Sequence, residues 1–274
     1  AAVFESLPKR FAKSSYTSES LLAAGKCRFG VADYAKAQQA LTPVVADPKS
    51  VERAEASAWL GRTLVKLKKP ADAVVVYDKA IAAFSKHPRL PELVYFRGEA
   101  LYAQPEKRAA AAAGFLEFTG KYAEHQLAAS ALYMSALAHL QIDKPTESLL
   151  SVTKFLADAK RAKHELRPEV LYVGGQAYLL GEKPDWAKAE TLFRGLLSEY
   201  PKHQHVPAAT VRIGFCLYRS EKFDPAVAHL AGAIPGLSDP KLKAEAGLLL
   251  GRSHQVSKRP AEAIAAFRAA RAAA

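Results

Sequence analysis

An all-α fold of stacked helical hairpins is what this 274-residue sequence predicts. Three observations carry that prediction. Small residues recur at Gly25, Gly61, Gly98, Ala136, Gly175, Gly214 and Gly251, at spacings of 36 to 39 residues. A second small or short residue follows each by twelve positions, at Ala37, Ala73, Ala110, Ser148, Ala187, Ala226 and Ala263; in the fifth unit Ala189 fits better, because the turn there is two residues longer. Within each unit the apolar residues show the helical period twice over. A fixed period of this length is the mark of a repeat architecture, here about seven helix-turn-helix units of 36–39 residues.

The elements follow in order. Residues 1–18 lack the period, and Phe4, Leu7 and Phe11 predict a short helix covering the first hairpin. The repeat array occupies residues 19–274. In the fifth unit Leu171, Gly175, Tyr178 and Leu179 mark the stripe of the first helix, and Ala189, Leu192, Phe193, Leu196 and Leu197 that of the second. Pro70, Pro105, Pro145, Pro184, Pro225 and Pro260 fall between paired helices, where proline reads as the start of the second helix because its missing N–H costs nothing in the first turn. Asp224 reads as an N-cap before Pro225. Pro91, Pro168 and Pro207 open first helices in the same way. A glycine inside a helix costs about 1 kcal/mol relative to alanine, so its recurrence implies close helix–helix approach. The last unit ends in AAFRAARAAA without a polar terminal helix, which predicts that the array continues or that this end packs on something.

Composition narrows the class. Half the residues are hydrophobic, enough for a core, and there are two Cys and no Asn, so neither a disordered chain nor a disulfide-stapled or zinc-ribbon protein fits. No apolar run is long enough to span a bilayer. The chain begins at Ala1 without a charged-then-apolar leader and reads as a trimmed or processed mature form. The net charge of +12 would suit nucleic acid, an anionic surface or an acidic partner, depending on where the charges lie.

The spacing, the small residue of each first helix, the large residue three later (Tyr178, Leu217), the alanine opening the second helix and the large apolar residue four beyond it (Tyr77, Phe193, Phe267) resemble the tetratricopeptide repeat over residues of about 19 to 274. Pro88 and Pro201 after second helices fit the same pattern. The resemblance implies a right-handed superhelical solenoid whose concave groove is lined by first helices. The stretches FRGLLSEYPKH and VPAATVRIGFCLYRSEKFDPAVAHL are similar to repeats of bacterial cell-envelope proteins, including outer-membrane assembly lipoproteins and Tol–Pal-associated coordinators, which favours a periplasmic or envelope location over a cytoplasmic one. Chaperone-tail-binding members grip a terminal carboxylate with asparagines and lysines, and a chain without Asn cannot build that clamp in its usual form.

No motif for catalysis is present: no GxxxxGKS/T loop, no HExxH helix, no CxxC pair and no GxSxG elbow. The expectation is a protein with no catalytic residue, no cofactor and no metal. Cys27 and Cys216 read as buried inert thiols on first helices. His87, His125, His164 and His203 recur every 38 to 39 residues. They read as basic groups complementing second-helix C-termini rather than as a metal ladder, with His203 and His205 the only pair spaced to chelate alone. Lys66, Lys68, Lys69, Lys144, Lys183, Lys222, Lys258 and Arg259 fall in the turns between paired helices, and Lys86, Lys163 and Lys202 at the ends of second helices, which predicts solvated basic edges.

The groove is then the candidate binding surface. Its register selects Tyr95, Tyr102, Tyr133, Tyr172, Phe215 and Tyr218, with Glu92, Glu99, Glu169, Gln176 and Arg212 near them. Tyrosine offers apolar area and a polar tip at small entropy cost, which suits an extended peptide. Two readings follow: a non-enzymatic scaffold holding a peptide or protein in the groove, and a basic array binding nucleic acid or another polyanion along its lysine-rich edge.

Overall fold

The computed structural model describes residues 1–11 and 14–273. Among them are fifteen α-helices and no strand: α1 Ala2–Arg10, α2 Thr17–Gly30, α3 Tyr34–Ala46, α4 Arg53–Lys66, α5 Pro70–Ala83, α6 Leu90–Tyr102, α7 Arg108–Lys121, α8 Ala128–Gln141, α9 Pro145–Ala157, α10 Arg167–Leu179, α11 Trp186–Glu199, α12 Val206–Arg219, α13 Phe223–Ala233, α14 Pro240–Val256 and α15 Pro260–Ala273. From α2 onward they fall into seven first-helix and second-helix pairs. The chain divides into two compact units, Ala1–Ala138 and His139–Ala274.

In the first unit α4 packs against both α3 and α5, and α6 against both α5 and α7, so each hairpin buries its flank on the next. The second unit repeats the arrangement with α10, α11, α12, α13 and α14 in sequence, closed by the tightly paired α14 and α15. In six of the seven hairpins a large side chain of the second helix drives into the small residue of its partner. Leu41 meets Gly25, Tyr77 meets Gly61, Phe115 meets Gly98, Phe193 meets Gly175, Leu230 meets Gly214 and Phe267 meets Gly251. A Cβ on Gly98 would stand 2.7 Å from the Phe115 ring, so only glycine fits there. Tyr77 is fully buried and donates its hydroxyl to the Ala58 carbonyl at 3.2 Å.

The turns inside hairpins share one backbone device. Ala32, Lys68, Asp143, Glu221 and Lys258 hold φ between 57° and 62°, the left-handed conformation that ends a helix. The next amide reaches back five residues, as Lys69 N–H does to Leu64 O and Lys222 N–H to Leu217 O, both at 2.9 Å. Pro70, Pro145 and Pro260 then open the second helix as expected. Elsewhere an aspartate does the capping: Asp185 accepts from Lys188 N–H and Asp239 from Lys241 N–H.

Three expectations about turns need correction. In the third hairpin Pro105 opens a short 3₁₀ turn, Pro105–Lys107, and α7 begins only at Arg108. That extra turn shifts the register by one, so Ala111 is buried where Ala110 was expected. Pro184 lies ahead of α11 and its N-cap Asp185 rather than opening the helix, while Ala189 takes the buried position as expected. Asp224 lies inside α13, whose N-cap is Lys222.

Ahead of the first hairpin, polar contacts tie α1 to α2. Ser20 Oγ donates to Phe4 O at 2.6 Å, and the Arg28 guanidinium holds both carboxylate oxygens of Glu5 at 2.6 and 2.8 Å. Phe4 and Phe11 are exposed rather than packed.

Candidate functional site

A helix turns about 100° per residue, so positions six and two before the small residue, and one and five after it, lie on the face turned away from the paired helix. On that face five first helices carry a glutamate six before the small residue: Glu19, Glu55, Glu92, Glu169 and Glu245. Four of them are matched by basic or amide groups from a neighbouring hairpin or loop. Glu55 takes Lys26 Nζ at 2.9 Å and Arg89 at 2.8 Å, and Arg89 also reaches Glu92 at 2.8 Å. Glu245 pairs with Arg212. Glu169 takes His205 Nε2 at 2.8 Å, Gln204 at 3.2 Å and His203 Nε2 at 3.4 Å. Burial alone would raise the Glu55 carboxyl, but the Lys26 hydrogen bond and the charges of Arg89 and Lys26 outweigh it and hold the group below its ordinary value.

Aromatic rings stand between these carboxylates. In the first unit the Arg62 guanidinium lies 4.5 Å from the Trp59 ring centre, 5.0 Å from Phe96 and 5.1 Å from Phe29. In the second, Arg219 lies 4.5 Å over Trp186 and 5.8 Å from Phe215. Tyr172 stacks on His205 at 4.1 Å with the planes 9° apart, and its hydroxyl accepts from Gln176 Nε2 at 2.9 Å.

The structure places the sequence-selected residues unequally. Glu169, Tyr172 and Gln176 come together, joined by His203 and His205. Glu92, Arg212 and Phe215 lie on the open face, half-buried. Tyr102 sits under the Arg108 guanidinium and Tyr218 against Phe223; these two rings and Tyr133 are half-buried. Tyr95 is corrected outright: it is 5% exposed, its ring wedged among Phe96, Phe115 and Phe118. Position three before the small residue is only about 60° from the hairpin seam, so a side chain there leans into the hairpin. Tyr95 donates its hydroxyl to Glu99, and burial raises both the Tyr95 hydroxyl and, against the opposing pull of Tyr95, Arg62 and Lys66, the Glu99 carboxyl. Trp59, Arg62, Phe29 and Phe96 were missed. The signal that finds Trp59, Phe96 and Arg62 is the offset of two before or one after the small residue.

The histidine ladder also differs from expectation. His87, His125, His164 and His203 lie past the helix ends, in the loops between hairpins. Each Nδ1 accepts the backbone N–H two residues on, at 3.1 to 3.3 Å. Three of the rings also pack edge-on against Phe84, Phe118 and Phe155. These imidazoles therefore act as acceptors that shape a turn, as aspartate does in an Asx-turn. Among the described residues no group of three His, Cys, Asp or Glu is arranged to hold a metal ion. Cys216 is buried, which pushes its thiol up to about 12, whereas Cys27 is exposed, contrary to the expectation of a buried thiol. No helix among the described residues is long and apolar enough to cross a membrane.

Fold and surface together define a helical-hairpin repeat protein. The arrangement is that of tetratricopeptide repeat proteins of known structure. The C-terminal part of a repeat-containing protein from Cytophaga hutchinsonii superposes with a TM-score of 0.72 at 14% identity, over 92% of this chain and 94% of that one. A tetratricopeptide repeat protein from Parabacteroides merdae gives 0.59 at 17%, over 93% and 92%. A signal-transduction ATPase of Pyrococcus horikoshii with a tetratricopeptide repeat sensor gives 0.66 at 12%, over 97% of this chain and 43% of that one. No protein-family model and no curated protein matches the sequence.

Proposed function

We propose that the protein is a non-enzymatic scaffold that holds a peptide or protein partner along the open face of its first helices, in the concave groove that such repeats form. The observation that carries this reading is the row of half-exposed aromatic and charged side chains on that face: Trp59, Arg62 and Phe96 in one unit, Arg212 and Phe215 in the other, with the half-buried Tyr172 ring stacked on His205 at its margin. Rings of this kind supply contact area, and the carboxylate ladder between them fixes polar partners in place. The likeness of the fifth- and sixth-unit stretches to envelope repeats supports a role within a bacterial envelope assembly.

Photo-crosslinking tests it. A benzophenone side chain at position 96 or 215 should capture a protein partner that the same group at positions 75 or 150, on exposed second-helix surface, does not. Equal capture at all four positions would refute the groove reading.

A second reading has its own observation. Lys68, Lys69, Lys144, Lys183, Lys222 and Lys258 are all exposed in or beside the hairpin turns, and none is ion-paired among the described residues. A polyanion on that edge would bind with a steep salt dependence, whereas an aromatic groove would lose little affinity on salt addition.

A further inference from the structure

Arg62 has aromatic neighbours and no ion-pair partner among the described residues. Its three rings come from three successive first helices: Phe29 on α2, Trp59 on α4 and Phe96 on α6. Cation–π contact holds the charge but accepts none of the five guanidinium N–H donors in a conventional hydrogen bond. Among the described residues Arg62 has no ion pair and no hydrogen-bond acceptor, while Glu55 and Glu92 beside it are already matched by Lys26 and Arg89. Glu99, the acid whose charge Arg62 favours, is raised by burial and occupied by the Tyr95 hydroxyl. Lys26 and Arg89 are thus taken up by Glu55 and Glu92, whereas the Arg62 guanidinium sits in an aromatic frame without an ion-pair partner among the described residues. Arg62 also lines a cleft of about 230 Å³ whose apolar wall includes Ala58, Trp59, Phe96 and Leu127. That is below the roughly 300 Å³ at which pockets for free small ligands begin, and suits a side chain presented by a peptide.

We propose that this cleft takes an acidic side chain of an extended protein segment, its carboxylate on the Arg62 guanidinium and a flanking apolar residue on Trp59 and Phe96. The guanidinium presents parallel N–H donors that match a carboxylate, and the aromatic frame fixes its orientation before the ligand arrives. One unpaired guanidinium suits one carboxylate, whereas a nucleic acid gains affinity from many phosphate contacts. The proposal rests on the scaffold reading and names the chemistry of its ligand.

The test uses two capped peptides, Ala-Leu-Glu-Phe-Ala and its Gln isostere, titrated into the whole chain carrying Trp186→Phe, so that Trp59 is the sole indole reporter. The Glu peptide should shift Trp59 fluorescence and bind about tenfold more tightly than the Gln peptide, as a charge-assisted bond to an enclosed cation does. Arg62→Gln should abolish that preference with the circular dichroism unchanged, and Arg62→Lys, which keeps the charge and loses the fork, should retain part of it. Equal binding of the two peptides, a preference that survives Arg62→Gln, or no Trp59 response at millimolar peptide overturns the proposal. So does Arg62-dependent displacement of the peptide by a single-stranded oligonucleotide. If the peptides fail while crosslinks from position 96 persist, the acidic ligand is wrong and the scaffold stands; loss of both removes the scaffold as well.

Discussion

Glu99 is an acid whose burial opposes its charge. Its carboxyl titrates above the ordinary 4.5 because burial outweighs the hydrogen bond from Tyr95 and the fields of Arg62 and Lys66. A raised acid binds its proton more tightly folded than unfolded, so its contribution to stability is full below the unfolded value and declines as pH rises through the folded one. Glu99→Gln keeps an acceptor for Tyr95 and removes the charge. It should raise Tm at pH 7 and leave it nearly unchanged at pH 4, as read by thermal melts across that range. Lys68 offers a second test. A side chain at φ 62° pays a left-handed penalty that glycine avoids, so Lys68→Gly should stabilise by up to about 1 kcal/mol in chemical denaturation. At this scale the sequence was only partly legible. Tyr95 and Tyr172 occupy the same offset from the small residue, yet one is sealed by Phe115 and Phe118 and the other stacks on a loop histidine. Which outcome holds depends on neighbours about 20 to 33 residues away that no local pattern specifies.

At the scale of the element, two kinds of glycine can be told apart. Gly98 faces the Phe115 ring, whereas Gly114 in α7 has nothing within 4 Å of where its Cβ would stand. Gly114→Ala should gain about 1 kcal/mol of helix propensity. Gly98→Ala gains the same propensity and incurs overpacking of about 1–3 kcal/mol, so the net effect should be destabilising, and Phe115→Leu should restore much of the loss. Urea midpoints of the three variants and the double mutant would show it. The loops allow a similar discrimination. His125→Ala removes the Nδ1 acceptor that holds Leu127 N–H, and His125→Asn supplies a comparable one. The alanine variant should melt lower by about 1 kcal/mol in stability and the asparagine variant should sit close to the parent. The helices themselves were legible because proline at the starts of α5, α9 and α15 and glycine at the seam answer backbone requirements. The third turn was not: Pro105 can open a 3₁₀ turn as readily as an α-helix, and the sequence carries no mark separating the two.

At the scale of the whole molecule, stability is a sum of hairpins and of the contacts between successive ones. Tyr77→Ala should cost about 3–5 kcal/mol, since the ring is fully buried against Gly61 and Ala58. Native-state hydrogen exchange should show protection lost first in α4 and α5, then in α3 and α6, with the effect fading along the chain; uniform loss would contradict a repeat array. The fold was legible from the period alone, because seven units repeat one packing solution. The binding face was not, because rings at open positions and rings at the seam are drawn from the same residue types. The six glycine-and-knob pairs also constrain the order in which this chain can change. A hairpin cannot acquire a larger residue at its crossing point until the opposing bulk has first been trimmed, so the two sites must drift together. Related chains should therefore show correlated substitutions at the pairs Gly61 with Tyr77 and Gly175 with Phe193, and grafting one member of a pair between hairpins should fail where grafting both succeeds.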